Sequence, residues 1–211
     1  MCFDSAIWKR EIYMTQSETS LFEAMNTQRA IRHFTTDPVS DEDIATILQA
    51  AIHAPNGGNQ QHWHFLVVRD RESKRRLGQW YLKAWEAIVN DEMMSMQAYR
   101  SGGDLGNNMP DTPVVILVCQ RSSATPQGSS IFPAVQNLML AARGLGLGTV
   151  LTTLHTAYEK EVKDYFGIPD DVETVAMIPV GYPGQGERFG RPRRRPLEEV
   201  SSYEKWGQRK S

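Results

Sequence analysis

At 211 residues, with 40% hydrophobic and 23% charged content, the chain is sized and composed for one globular domain with a real core, which excludes a fibrous or disordered protein. A net charge of −2 offers no general attraction for nucleic acid or a membrane surface, and two cysteines, Cys2 and Cys119, argue against a disulfide framework or a cysteine metal site. Residues 1–20 carry Asp4, Lys9, Arg10 and Glu11 in place of a long apolar run, so no secretory signal or membrane span is expected and the location is expected to be cytoplasmic. Met14 offers a second start, and residues 1–20 read as an extension ahead of a domain over 21–211.

The run Leu21, Phe22, Met25 predicts a helix over 21–32, on which Arg29 and Arg32 share a face and are bridged by one anion. Guanidinium forks match phosphate oxygens, although two such arginines are also compatible with a solvated surface. A second helix is expected over 40–53, with Ile44, Ile47, Leu48 and Ala51 facing inward and Asp41 near its start. Pro55, Gly57 and Gly58 stop it. The turn that follows tolerates positive φ and leaves backbone amides bare enough for a flat ligand, with Asn59 adding a side-chain amide; a plain helix-to-strand turn is the alternative. Trp63 opens a strand expected over 63–69.

A long helix is expected over 72–99, because Leu77, Trp80, Tyr81, Ala84, Trp85, Ile88, Val89 and Met93 recur at helical spacing. Its stripe is wider than one sheet contact needs, so the aromatics cap a flat ligand, enter a subunit interface or pack in the core. The glycine-rich stretch 101–108 reads as a flexible hinge. Strands over 113–119, 148–153 and 173–181 alternate with helices over 131–144 and 157–166, ahead of a C-terminal arm bearing Arg191, Arg193, Arg194 and Arg195. This alternation predicts a sheet covered by helices on both faces. Cys119 ends an apolar run and reads as core, and the five histidines lack zinc-site spacing, so no metal is expected.

Several motifs stand in succession: Arg29-Ala30-Ile31-Arg32-His33-Phe34, Ala54-Pro55-Asn56-Gly57-Gly58-Asn59-Gln60-Gln61-His62-Trp63, Gly144-Leu145-Gly146-Leu147-Gly148, Thr152-Thr153, Gly181-Tyr182-Pro183 and the closing Arg195-Pro196-Leu197. From about residue 21 to 203 this order resembles the FMN-dependent nitroreductase family. The resemblance implies an α+β fold, an α/β/α sandwich with a mixed sheet, dimeric with the C-terminal arm exchanged. It implies FMN held by Arg29, Ala30, Arg32, Leu151, Thr152, Thr153 and Arg194, with the arginines on the phosphate. Asn56, Gly57 and Asn59 join this set, the turn coming from the second subunit of a homodimer, and Thr153 is placed as the catalytic hydroxyl near the flavin N5. Gly58, Tyr81 and Trp85 are implied substrate contacts, the latter two in a lid over about 77–110.

The implied activity is NADH- or NADPH-driven reduction of nitroaromatics, quinones or similar small acceptors, with donor and acceptor taking turns at one site. The chain departs from the family pattern at Gln28, Ala30, Asn56 and His62, which stand for arginine, serine or aspartate, serine and proline. A reductive dehalogenase of the iodotyrosine deiodinase type is a competing reading, disfavoured because residues 81–108 contain no Glu-x-x-x-Tyr. The flavin-destroying benzimidazole synthase branch expects an acid where Ala30 stands. A flavin-binding protein without turnover is a further alternative. A nucleic-acid module is disfavoured by Pro192, Pro196 and the acidic Glu198-Glu199 around the basic cluster.

Overall fold

The computed structural model describes residues 19–121 and 130–209. The extension expected over 1–20 therefore lies outside the described residues, save for Thr19 and Ser20; Ser20 already belongs to the fold, accepting the Glu23 amide as N-cap of α1 (Leu21–Thr27). Next come α2 (Asp41–Ile52), a single 3-10 turn (Gly57–Asn59), β1 (Trp63–Val68) and α3 (Arg71–Ile88). They are followed by α4 (Asp91–Ser95), α5 (Gln97–Asn108), β2 (Val114–Arg121), α6 (Ile131–Gly144) and β3 (Gly148–Thr149). A 3-10 turn (Leu154–Tyr158), α7 (Glu159–Phe166), β4 (Val172–Gly181) and α8 (Leu197–Val200) complete the described chain.

The four strands lie in the order β1-β2-β4-β3 and every ladder is antiparallel. The mixed character expected of the sheet reduces, among the described residues, to one parallel bridge between Ala30 and Thr149. Alternation along β2 explains the sandwich. Val114, Ile116 and Val118 point to a core shared with α2 and α6, whereas Val115, Leu117 and Cys119 point to one shared with α3, α5 and α7. Both faces are thus dry, and β2 reads as an unbroken apolar run. Cys119 is core as expected; burial pushes its thiol up to about 12, so it stays protonated.

The expected helix over 72–99 and hinge over 101–108 are both corrected. The helix ends at Ile88, and the glycine-rich stretch is not a hinge but part of α5. Packing overrides the helix cost of glycine, roughly 1 kcal/mol per residue. A Cβ on Gly106 would lie 2.6 Å from Leu82, one on Gly78 2.6 Å from the Gly106 carbonyl, and one on Gly102 2.9 Å from the Trp85 indole nitrogen. The glycines let two backbones approach, and α3 and α5 form a fixed pair.

Candidate functional site

The first helix also stops early. Gln28 takes an extended conformation at the C-cap of α1, so the arginine motif is not helical and Arg29 and Arg32 do not share a helix face. The segment instead lies along the sheet. Ala30 bridges Thr149, the Ile31 amide donates to the Thr149 carbonyl at 3.0 Å, and Phe34 bridges Pro183. Ile31 is fully buried beside Gly148, whose absent Cβ would come within 2.8 Å of it, and burial of such a side chain stabilises the fold by about 1.5–3 kcal/mol. This anchor fixes the backbone that carries Arg29, whose side chain is exposed, and Arg32, whose side chain is half-buried.

Arg29, Ala30, Arg32 and His33 line one wall of a recess of about 750 Å³; Gln97 and Ser101 of α5 and the loop residues Gln185, Gly186, Glu187 and Arg188 complete it. The Glu187 carboxylate accepts from the Arg32 and His33 amides at 2.9 and 3.1 Å and meets the His33 Nδ1 at 3.1 Å. Burial pushes this carboxyl up, but the two amides and the His33 ring outweigh it and hold the group below its usual range. Behind the recess, burial raises the Tyr81 hydroxyl above its ordinary value, an effect partly offset by the Arg32 charge.

Thr149 continues into the threonine pair. The Thr152 amide and carbonyl both pair with Met177, and its hydroxyl accepts the Leu154 amide at 3.3 Å. Leu151 is half-buried against the α2/α6 core. Thr153 is exposed, and its side chain makes no capping bond to the 3-10 turn that it opens. The sequence thus leads from the arginine motif, across one bridge, to an exposed hydroxyl.

The glycine turn lies elsewhere. Gly58, Asn59 and Gln61 all have positive φ (58, 52 and 53°), as the turn reading expects. Asn56 staples its own loop, its Oδ1 accepting the Gln61 amide at 2.9 Å, and the Gly57 amide donates to Ser130, so that amide is not bare. Asn56 and Gly57 line a narrow crevice with Trp63 and Gln120, and no residue of that crevice lines the arginine recess. Gly58 and Asn59 are exposed.

Tyr81 is buried in the α3–α5 pair and Trp85 half-buried against Gly102 and Gly103, so both stand in a framework in the folded chain. Arg194 is exposed, donates to the Arg193 carbonyl and does not line the recess; Arg188 does. Sequence reasoning missed Arg188, Glu187, His33 and Ser101 at this place. The available signal was a lone carboxylate, Glu187, in a loop that otherwise turns basic from Arg188 onward.

Residues 26–182 match the model of the Nitroreductase family. A relative from Archaeoglobus fulgidus, provisionally named NADH dehydrogenase/NAD(P)H nitroreductase, is 31% identical over 170 residues, covering 77% of this chain and 85% of its own. The iodotyrosine deiodinase of Thermotoga neapolitana is 28% identical over 166 residues, covering 77% of this chain and 88% of its own. Among solved structures, an oxidized iodotyrosine deiodinase bound to FMN and 3-iodo-L-tyrosine superposes with a TM-score of 0.72 at 24% identity, covering 87% of this chain and all (100%) of that one.

Proposed function

The chain belongs to the nitroreductase family, and from that premise we propose that it is an FMN-dependent oxidoreductase that uses NADH or NADPH to reduce small oxidised acceptors such as nitroaromatics or quinones. The observation that carries this reading is the recess of about 750 Å³ lined together by Arg29, Arg32 and Arg188. Three guanidinium groups around one recess suit a terminal phosphate bearing nearly two negative charges, and so fit FMN. When bound, the flavin supplies the two-electron relay between nicotinamide and acceptor.

The chain's own residues orient the cofactor and shield it. Arg29, Arg32 and Arg188 hold the phosphate, with Arg194, which does not line the recess of its own chain, reaching it from the exchanged arm of a second copy, while Ala30, Leu151 and Thr152 form the floor beside the ring. Thr153 donates toward the reacting edge; of the two threonines it is the one whose hydroxyl its own turn does not engage. The Asn56–Asn59 region serves the site of a second copy, because within one chain it shares no lining with the arginine recess. Gly58 and Trp85 bound the place where donor and acceptor alternate, and Tyr81, buried in the α3–α5 pair, backs them. Among the described residues no helix is long and apolar enough to cross a membrane.

Purified protein tests the reading. Flavin released by denaturation should have the mass of FMN, NADH or NADPH should bleach the bound colour, and double-reciprocal plots at several acceptor concentrations should be parallel. Release of FAD, or no flavin after reconstitution, sinks the cofactor assignment, and intersecting lines sink the alternating mechanism. Relatives named iodotyrosine deiodinase support a second reading, reductive dehalogenation. A panel of nitroaromatics, quinones and halotyrosines separates the two, and turnover confined to halotyrosines would favour the second.

A further inference from the structure

Two successive backbone N–H groups that face the same way form a concavity suited to an anion. The amides of Arg32 and His33 are such a pair, and the chain fills it with its own carboxylate. Glu187 Oε1 takes both amides and the His33 ring nitrogen, with only 18% of its side chain exposed. The Gly184 amide donates to the His33 carbonyl at 2.8 Å, and the Glu187 amide to the Gly184 carbonyl at 3.1 Å, so the 184–187 turn is locked to the arginine motif from both sides. On its other edge the His33 ring reaches Asp104 of α5 at 3.6 Å.

We infer that Glu187 is a positioning residue: by occupying the Arg32–His33 amides it fixes the backbone from which Arg32 enters the recess, so that the ligand's phosphate is met by guanidinium groups and not by the backbone. Charge-assisted bonds to amides are about twice as strong as neutral ones, which gives one carboxylate enough hold to set a segment that has no ladder of its own beyond Ala30 and Phe34. The inference rests on the reading of the recess as the FMN phosphate site, and it differs from the direct contacts of Arg29 and Arg32. Glu187 acts through Arg32 and touches no ligand.

The test uses the full chain in four forms: wild type, Glu187→Gln, Glu187→Ala and Glu187→Asp. The first readout needs no flavin. In apoprotein, hydrogen exchange at the Arg32 and His33 amides should be about tenfold faster in the alanine variant and about threefold faster in the glutamine variant, whose carbonyl oxygen still accepts but without the charge. The second is FMN titration, where the alanine variant should bind about tenfold more weakly and the glutamine variant about threefold more weakly. Aspartate keeps the charge but withdraws the oxygen by one methylene; it should behave like alanine, and it serves if alanine does not fold. Unchanged amide protection in the alanine or aspartate variant, or lost protection with unchanged FMN affinity, overturns the inference, as does tighter FMN binding without Glu187. If wild type binds no FMN, the cofactor reading and the phosphate-positioning role both fail, and the exchange result then shows whether the carboxylate clamp itself exists.

Discussion

The arginine recess and the glycine turn belong to one expected site, yet the chain treats them oppositely. The recess is built from inside: Ile31 is fully buried, the backbone is bridged at Ala30 and Phe34, and Glu187 clamps the amides between. The turn and the C-terminal arm stand outward, with Gly58 and Asn59 exposed and Leu197, Val200 and Trp206 showing 69%, 55% and 100% of their surface. Apolar groups at that exposure are not covered by the described residues of their own chain. The contrast teaches that one half of the expected site is set by folding while the other stays open, which is the half that the proposed function assigns to a second copy.

The largest effect should come from the finished half. If Arg29 holds the phosphate as proposed, Arg29→Ala leaves that charge unpaired and should cost about 3 kcal/mol, roughly a hundredfold in FMN affinity, whereas Arg71→Ala, which breaks an exposed pair with Asp111, should leave it unchanged. Flavin titration of the two apoproteins measures this, and equal affinities would break the comparison at its strongest point.

Acid should next reveal how tightly the threonine segment is held. His155 is fully buried, neither ring nitrogen makes a well-formed hydrogen bond among the described residues, and burial, opposed by the nearby Thr174 backbone, depresses its titration to about 4. An unfolded chain takes up that proton near 6.5 and the folded one does not, so the unfolded state binds more protons between those values. Stability should therefore be complete above about pH 6.5 and fall by about 3 kcal/mol toward pH 4, and His155→Leu should lose that dependence. Denaturant melts across this window decide it; an equal slope in wild type and variant would remove His155 as the cause.

A smaller loss should separate framework from arm. Gly106→Ala forces a Cβ to within 2.6 Å of Leu82 and 2.7 Å of Tyr81, and should destabilise the fold by about 1–3 kcal/mol. Trp206→Ala, at a fully exposed ring, should shift the unfolding of a chain by no more than about 0.5 kcal/mol. The same change should weaken self-association in sedimentation, and unaltered association would show that the arm covers nothing.

Much of the sandwich was legible in the sequence because β2 and α6 are long apolar runs whose periods admit one reading, and α6 (Ile131–Gly144) falls where expected. What failed did so where tertiary contact reverses a local rule. Glycines at 102, 103 and 106 signal a hinge by propensity but are the surface on which Trp85, Tyr81 and Leu82 pack. Arg29 and Arg32 read as a helical pair because Leu21, Phe22 and Met25 continue in phase, whereas the bridges to Thr149 and Pro183 and the Glu187 clamp, all over a hundred positions away, hold them in extended form. Lys74 sits in a run of exposed basic residues and is itself buried, its ammonium donating to the Thr112 and Pro113 carbonyls, which no sequence period announces. Of the candidate site, the arginines and the positive-φ turn were readable from residue type, while Glu187 and Arg188 were not, since a loop's partner is a matter of distance.

The most direct test of the central claim is a purified mixed dimer, one copy carrying Arg29→Ala and its partner carrying Gly57→Trp, each bearing a different affinity tag. If the recess of one chain works with the turn of the other, the wild-type Arg29 and the wild-type Gly57 meet at one site and the mixed dimer should bind one FMN tightly, while either homodimer binds poorly. If recess and turn act within the same chain, both sites of the mixed dimer are damaged, and the absence of any tight FMN would contradict the account.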